Sequence, residues 1–196
     1  MNITSFLIYC IIVTFTPGPA NIEILYIVNN FGARKAMEYT YGATTAFSIL
    51  LVISAILNTT LMTIVPKILV FMQIIGGIYM LYLAYKIYKN DTSKSIEKHS
   101  ATFMSGFLMQ FVNPKILMFT MTVIPMFITP YYQSSVILSI SVITITIIGF
   151  LSFITWLLFG TIFKRFLNKY EKIINIIMAL FLVYSAIMIS GVFELI

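Results

Sequence analysis

The sequence is poor in the charged residues that a water-soluble protein needs on its surface. Of its 196 residues only 9% are charged, whereas 60% are hydrophobic and the mean hydropathy is +1.02. A folded domain of this size in water would have to cover itself with many more charged side chains. The composition therefore excludes a soluble globular protein and indicates that lipid surrounds most of the chain.

Side chains that bind metals or carry redox chemistry are also scarce. Cys10 is the single cysteine, which excludes an internal disulfide and the cysteine pair that a thiol–disulfide carrier needs. His99 is the single histidine, and it lies in a polar stretch that we interpret as a solvated loop. We expect no bound metal, no cofactor, no catalytic residue and no enzyme activity. The net charge of +6 is spread over short loops, so nucleic acid is not an expected partner.

Long apolar runs divide the chain into six segments, each able to cross a bilayer as a helix. A hydrocarbon core of about 30 Å takes roughly 20 helical residues, and runs of this length exclude the short alternating strands of a barrel. The fold class is therefore predicted as an all-α membrane protein with six transmembrane helices. The predicted spans are residues 3–28, 40–64, 68–88, 103–128, 133–160 and 172–193.

The basic residues between these spans lie almost entirely on one side. Ten of them fall in three predicted loops, at residues 29–39, 86–102 and 161–172, whereas Lys67 is the single basic residue in the loops of the other side. Basic loops stay in the cytoplasm, so the predicted topology places both termini outside.

Proline interrupts the first and fourth spans. The sequence Thr-Pro-Gly-Pro occupies residues 16–19, and Asn-Pro-Lys occupies residues 113–115. Proline removes a backbone donor and cannot continue a regular helix. In lipid the freed carbonyls must be satisfied by protein, water or a solute, so such breaks belong beside a cavity. For either break by itself, a kink that only serves packing is the simpler interpretation.

The two breaks stand almost half a chain apart, at Pro17 and Pro114. Each half, residues 1–98 and residues 99–196, then holds three spans, and an odd number of spans inverts the second half relative to the first. Secondary transporters often follow this inverted-repeat plan, and interrupted helices at corresponding positions mark their substrate site near the bilayer midplane. We therefore predict two inverted three-helix repeats in which helices 1 and 4 are broken.

The polar groups at the two breaks form the predicted substrate site. Freed amides and polar side chains there suit the carboxylate and the amine of a small zwitterion. The predicted substrate-binding residues are Thr16, Pro17, Gly18, Pro19, Asn21, Asn113, Pro114 and Lys115.

Two ionisable residues lie inside these spans, where an unpartnered charge is costly. Glu23 follows the first break, and Lys115 belongs to the second. Both are expected to face the bundle interior or a water-filled vestibule, where they pair directly or through water. Glu23 is predicted to carry the coupled proton, since a carboxylate can bind a proton on one side of the membrane and release it on the other. In the alternative, Glu23 is hydrated from the cytoplasm and Lys115 snorkels along its stem.

Three ordered motifs resemble those of the lysine exporter and homoserine/threonine resistance (LysE/RhtB) family. They are Phe-Thr-Pro-Gly-Pro at 15–19 with Gly-x-Arg at 32–34, Gly-Gly-x-Tyr-x-Leu-Tyr-Leu-Ala at 76–84, and Gly106 followed by Asn-Pro-Lys at 113–115. The resemblance spans the whole chain and implies export of amino acids or their derivatives across the bacterial cytoplasmic membrane, coupled to protons. The sequence contains no nucleotide-binding loop, which agrees with gradient-driven transport.

The sequence departs from the family pattern after the first break. Ala20 stands where the family often has Asp or Asn, and the pair Asn21-Ile22 is reminiscent of the branch that exports cysteine and O-acetylserine. The spans carry no acidic cluster, which favours a small neutral substrate over lysine. Two alternatives stay open: a metal-ion transporter of the same broad superfamily, and a membrane scaffold that transports nothing. A homodimer is compatible with the plan, since small transporters of this kind often pair.

Overall fold

The computed structural model describes residues 2–57, 74, 77–85, 87–89 and 101–189. This part of the chain is helical and contains no strand, as predicted for an all-α protein. Its helices with defined bounds are α1 (Ile3–Phe15), α2 (Pro19–Phe31), α3 (Ala33–Ile56), α4 (Phe103–Val112), α5 (Pro114–Phe127), α6 (Ser135–Ile162), α7 (Lys164–Lys169) and α8 (Glu171–Ile189).

The first and fourth predicted spans are bent pairs of helices. The axes of α1 and α2 differ by 46°, and those of α4 and α5 differ by 69°. Pro19 and Pro114 each stand at the first position of the helix that follows the bend, where a missing N–H removes no helical hydrogen bond. The breaks predicted from proline in these two spans are therefore present.

Candidate membrane spans are identified by length and composition. α3 and α6 are each long and apolar enough to cross a bilayer, and up to four candidates result when each bent pair counts as one span. The outer face of α6 exposes large apolar side chains, among them Ile143, Ile147 and Leu151. Such a face is expected against lipid, because a helix that is hydrophobic on all sides needs apolar surroundings on all sides.

The connections between helices differ from the predicted loops. Gly32 alone separates α2 from α3, and its φ of 85° is a left-handed conformation that glycine adopts without strain. The predicted loop at 29–39 is therefore wrong, and the predicted loop at 161–172 contains α7. Hydropathy marks where apolar surroundings end, but a helix can continue beyond that point with polar residues. Lys35 and Glu38 do so at the start of α3, where they form an ion pair of 2.7 Å.

Other parts of the prediction fall on residues that the structure covers incompletely. Residues 77–85, 87 and 88 of the predicted third span are helical. The end of the second span beyond residue 57, most of residues 68–76, and the polar loop that holds His99 lie outside the described residues.

α2 is the most enclosed of these helices. Every residue from Pro19 to Val28 is buried, whereas α1 exposes Ile3, Ile8 and Ile12 on its outer face. The polar residues of α2 that follow the first break therefore face protein and not lipid.

α3 and α4 cross with their backbones in direct contact. A Cβ atom added to Gly42 would lie 1.8 Å from the carbonyl oxygen of Phe103, and one added to Gly106 would lie 2.1 Å from that of Tyr39. Glycine at both positions allows this approach, as small residues commonly do between membrane helices. Beyond the bend, α5 stays against α3, where the rings of Phe119 and Phe47 stack with centroids 6.1 Å apart. α3 thus holds both halves of the second bent pair.

We expect Gly106→Ala to destabilise the protein, because the added methyl group meets the backbone of α3 and the two helices must separate. Overpacking typically costs about 1–3 kcal/mol, and a clash with backbone belongs at the upper end. The melting temperature of the detergent-solubilised protein should fall. Gly77→Ala is the matched control, since a methyl group there meets no atom of the described residues within 4 Å. Equal melting temperatures for both variants would contradict the proposed role of Gly106.

Candidate functional site

The first break leaves carbonyl groups at the end of α1 without their usual helical partners. Pro19 has no N–H to offer the carbonyl of Phe15, and the extended backbone between the helices moves the other donors away. Asn21, in the first turn of α2, reaches back across the break. Its Nδ2 donates to the carbonyl of Thr14 at 3.1 Å and to that of Thr16 at 3.0 Å.

α6 supplies two more donors to the same end of α1. The hydroxyl of Ser152 donates to the carbonyl of Thr14 at 2.8 Å, and the indole Nε1 of Trp156 donates to that of Phe15 at 3.2 Å. Protein groups therefore satisfy carbonyls that lipid cannot solvate.

Lys115 connects the second break to the first. Its Nζ donates to the carbonyl of Thr16 at 2.5 Å, across 99 positions of sequence. The lysine stem passes over Gly18, where an added Cβ would lie 2.9 Å from Cδ. The two breaks are thus in direct contact, through one charged hydrogen bond that glycine leaves room for.

A small cavity lies between the breaks. Its volume of about 10 Å³ is room for roughly one water molecule. Asn21, Asn113 and Lys115 provide its polar groups, and the Oδ1 atoms of both asparagines are buried without a hydrogen-bond partner. Two free acceptors beside one ammonium group complement a ligand that carries both an amine and a carboxylate. The remaining lining residues are Thr14, Gly18, Ala20, Phe47, Ile116, Gly149 and Phe153.

The predicted substrate-binding residues divide into two groups. Gly18, Asn21, Asn113 and Lys115 line this cavity, whereas the others belong to the backbone of the breaks. The side chain of Thr16 is turned away, because its hydroxyl bonds to the carbonyl of Ile12 within α1, and its contribution is its carbonyl group. The residues of this second group are Thr16, Pro17, Pro19 and Pro114.

Sequence reasoning missed the contribution of α6. Ser152 and Trp156 lie in a span with no break, and nothing local in the sequence connects them to residues 14 and 15. One signal was available, since the N–H of a tryptophan in an apolar helix needs a partner. The sequence does not indicate which carbonyl that partner is.

Glu23 lines a different cavity. Its side chain is only 6% exposed, and its Oε2 accepts a hydrogen bond of 2.9 Å from the hydroxyl of Tyr39. Tyr79 also interacts with this carboxylate. The cavity has a volume of about 250 Å³ and includes Ser105 of α4. Lys115 is directed to the first break, so the direct ion pair expected between it and Glu23 is not formed.

In the described part of the chain, no three side chains of His, Cys, Asp or Glu come together in a way that could hold a metal ion.

Comparison with known proteins gives consistent matches along the chain. A family model described as LysE type translocator matches residues 11–190. The chain is 31% identical over 189 residues to the cysteine/O-acetylserine efflux proteins of Escherichia coli strain K12, Shigella sonnei strain Ss046 and Shigella flexneri. Each of these alignments covers 95% of this chain and 96% of the relative. No solved structure matches the chain.

The family match begins before the first break and ends near the end of α8, so it includes both breaks and the helices that meet at them. With its apolar helices, the protein is a multi-pass protein of the bacterial cytoplasmic membrane. The chain belongs to the LysE type translocator family.

Proposed function

We propose that this protein exports a small neutral amino acid or amino-acid derivative across the cytoplasmic membrane, in exchange for protons. The observation that carries the proposal is the contact between the two breaks, where Lys115 and the unpaired oxygens of Asn21 and Asn113 face one cavity. The relatives are named as efflux proteins for cysteine and O-acetylserine, two small amino acids without a charged side chain at neutral pH. Among the residues that the structure describes, no acidic side chain lines the cavity, which agrees with a substrate that has no second positive charge.

The cavity groups suggest how a zwitterion binds. Lys115 donates to the substrate carboxylate, and the Oδ1 atoms of Asn21 and Asn113 accept from its amine. Charge-assisted hydrogen bonds of this kind are roughly twice as strong as neutral ones, and more so away from water. Lys115 then exchanges its bond to the carbonyl of Thr16 for a bond to the substrate.

The size of the cavity indicates a form of the transporter that is closed around its site. Space for one water molecule cannot hold an amino acid, so the helices must separate before substrate binds. The bends at residues 16–18 and at Asn113 are suitable hinges, because the backbone there lacks regular helical hydrogen bonds. Movement of each bent pair about its break would open the site to alternate sides of the membrane.

The proposed topology comprises six spans in two inverted repeats, residues 1–98 and 99–196, with both termini outside. A bent pair of helices stands at the corresponding place in each half, which supports the repeat. The positive-inside distribution of basic residues supports the orientation.

Glu23 is the proposed proton carrier. Its carboxyl group is buried, bonded to Tyr39 and adjacent to a cavity large enough for several water molecules. In general, dry surroundings favour the protonated form of a carboxyl group, and water or a nearby positive charge favours the ionised form. A change in the hydration of the cavity during the transport cycle would therefore allow Glu23 to bind the proton and then release it.

The central test is efflux from preloaded vesicles, with and without a pH gradient. O-acetylserine and cysteine should leave faster in vesicles that contain the protein. Lys115→Met should reduce this efflux roughly tenfold or more, because a hydrogen bond between charged groups contributes about 1.5–3 kcal/mol.

Lys35→Met is the matched control, since the partner of Lys35 is Glu38 near the helix surface and such ion pairs contribute little. No protein-dependent efflux for any amino acid would refute the exporter, and wild-type efflux by Lys115→Met would remove Lys115 from the site.

For Glu23→Gln we expect efflux that no longer responds to the pH gradient. The amide keeps the shape of the carboxyl group and still accepts a hydrogen bond from Tyr39, so the protein should remain folded and inserted. The measurement is the ratio of efflux rates with and without the gradient. Glu38→Gln at the start of α3 is the control. An unchanged ratio in Glu23→Gln would assign the proton to another group.

The topology has an independent test with reporter fusions. Alkaline phosphatase joined after residue 196 should be active, because the enzyme folds only outside the cytoplasm, and green fluorescent protein joined there should be dark. Fusions within the stretch 86–102 should give the opposite result. A fluorescent C-terminal fusion would overturn the arrangement with both ends outside.

A further inference from the structure

Gln110 of α4 has no structural explanation so far. Its side chain is 0% exposed, and neither Nε2 nor Oε1 has a hydrogen-bond partner. Native proteins leave few buried polar groups unpaired, because each one loses its bonds to water without replacement. A leucine would fill the same space without that loss, so the carboxamide requires a reason.

The position of Gln110 follows from the packing of α4 and α5 on α3. Gly106, one turn before it, contacts the backbone of α3, and after the bend Phe119 stacks on Phe47 of α3. Gln110 lies between these two contacts and shares a helix face with Asn113, three residues later. Phe47 and Asn113 both line the cavity between the breaks. Gln110 does not itself line this cavity, but it is buried one helical turn before Asn113, which does.

α3 has a second unpaired group in this region. Thr40 is 0% exposed and its Oγ1 has no hydrogen-bond partner, although a threonine in a helix commonly bonds to a carbonyl of the preceding turn. Thr40 and Phe47 are seven residues apart and share one face of α3. Thr40 lies about 10 Å from Phe47 along the helix axis, at 1.5 Å per residue, and it does not line the cavity.

We propose that Gln110 binds the polar group on the side chain of the substrate and so selects amino acids that carry one. The inference rests on the proposed function of the cavity. A carboxamide offers a donor and an acceptor without a charge, which suits a hydroxyl, a thiol or an ester carbonyl. Gln110 stands about 4.5 Å along the helix axis from Asn113, at 1.5 Å per residue. With the amine and carboxylate held at the breaks, a short side chain spans that distance.

The substrate class is accordingly a neutral amino acid with a hydrogen-bonding group two to four bonds beyond its α-carbon. A purely apolar side chain of the same length leaves the carboxamide unpaired and is selected against. Sites built around a hydrogen bond discriminate against analogues that lack it far more strongly than apolar pockets discriminate between sizes.

The test measures efflux of a labelled substrate from vesicles in the presence of unlabelled competitors. It compares O-acetylserine and serine with 2-aminobutyrate as competitors. The wild-type protein should bind the polar competitors at least tenfold more tightly than 2-aminobutyrate. Gln110→Leu, which keeps the volume and removes the hydrogen bonds, should weaken the polar competitors about tenfold or more and leave 2-aminobutyrate unchanged or tighter. Gln133→Leu makes the same change at an exposed position between α5 and α6 and should match the wild type.

Thermal stability separates a role in recognition from a role in structure. Gln110→Leu should melt at the same temperature as the wild type or higher, because the carboxamide that it removes has no partner in the substrate-free protein. A lower melting temperature, a failure to insert, or an equal loss for all competitors would show a structural role and overturn the inference. A wild-type protein that exports none of these compounds would refute the proposed function itself. Normal wild-type export, with the preference retained in Gln110→Leu, would refute the role of Gln110 alone.

Discussion

The arrangement of this protein depends on three consecutive carbonyl groups that hydrocarbon cannot solvate. The first break leaves the carbonyls of Thr14, Phe15 and Thr16 without helical partners, and side chains from α2, α5 and α6 donate to them. An unsatisfied carbonyl in a membrane costs several kcal/mol, so the break is tolerated only where these helices meet. The proline sequence that interrupts α1 therefore also determines which helices must surround it.

Close approach of backbones brings the second break to this point. Gly42 and Gly106 let α4 lie directly on α3, and Gly18 leaves room for the stem of Lys115. Lipid gives helices little hydrophobic reason to associate, so tight contact and hydrogen bonds must supply the attraction. In this molecule the two contributions act together, because the helix contact positions the lysine that forms the hydrogen bond.

The sequence predicts features that depend on neighbouring residues, but it does not predict contacts between residues that are far apart in the chain. Proline removes a specific N–H, so both breaks were predictable to within a residue, as was the polar character of Asn21 and Asn113. The partner of Lys115 was not predictable, since Thr16 lies 99 positions away and contributes its backbone and not its side chain. Gln110 carried a signal, being a polar residue in an apolar helix, but only the packing shows that its carboxamide is unpaired. The loop at 29–39 was misplaced for another reason: apolar composition ends before the helix does.

The separation of the two cavities bears on how the proposed exchange of substrate for protons is coupled. Asn21 and Glu23 belong to the first two turns of α2, one facing the cavity between the breaks and the other the larger cavity beside Tyr39 and Tyr79. Because a helix moves as a rigid body, any tilt of α2 about the break at Gly18 displaces both side chains at once. A direct bond between Glu23 and the substrate is then unnecessary for coupling. In the proposed mechanism, protonation of Glu23 and binding of substrate both change the stability of the same orientation of α2, so each equilibrium biases the other by the same free energy.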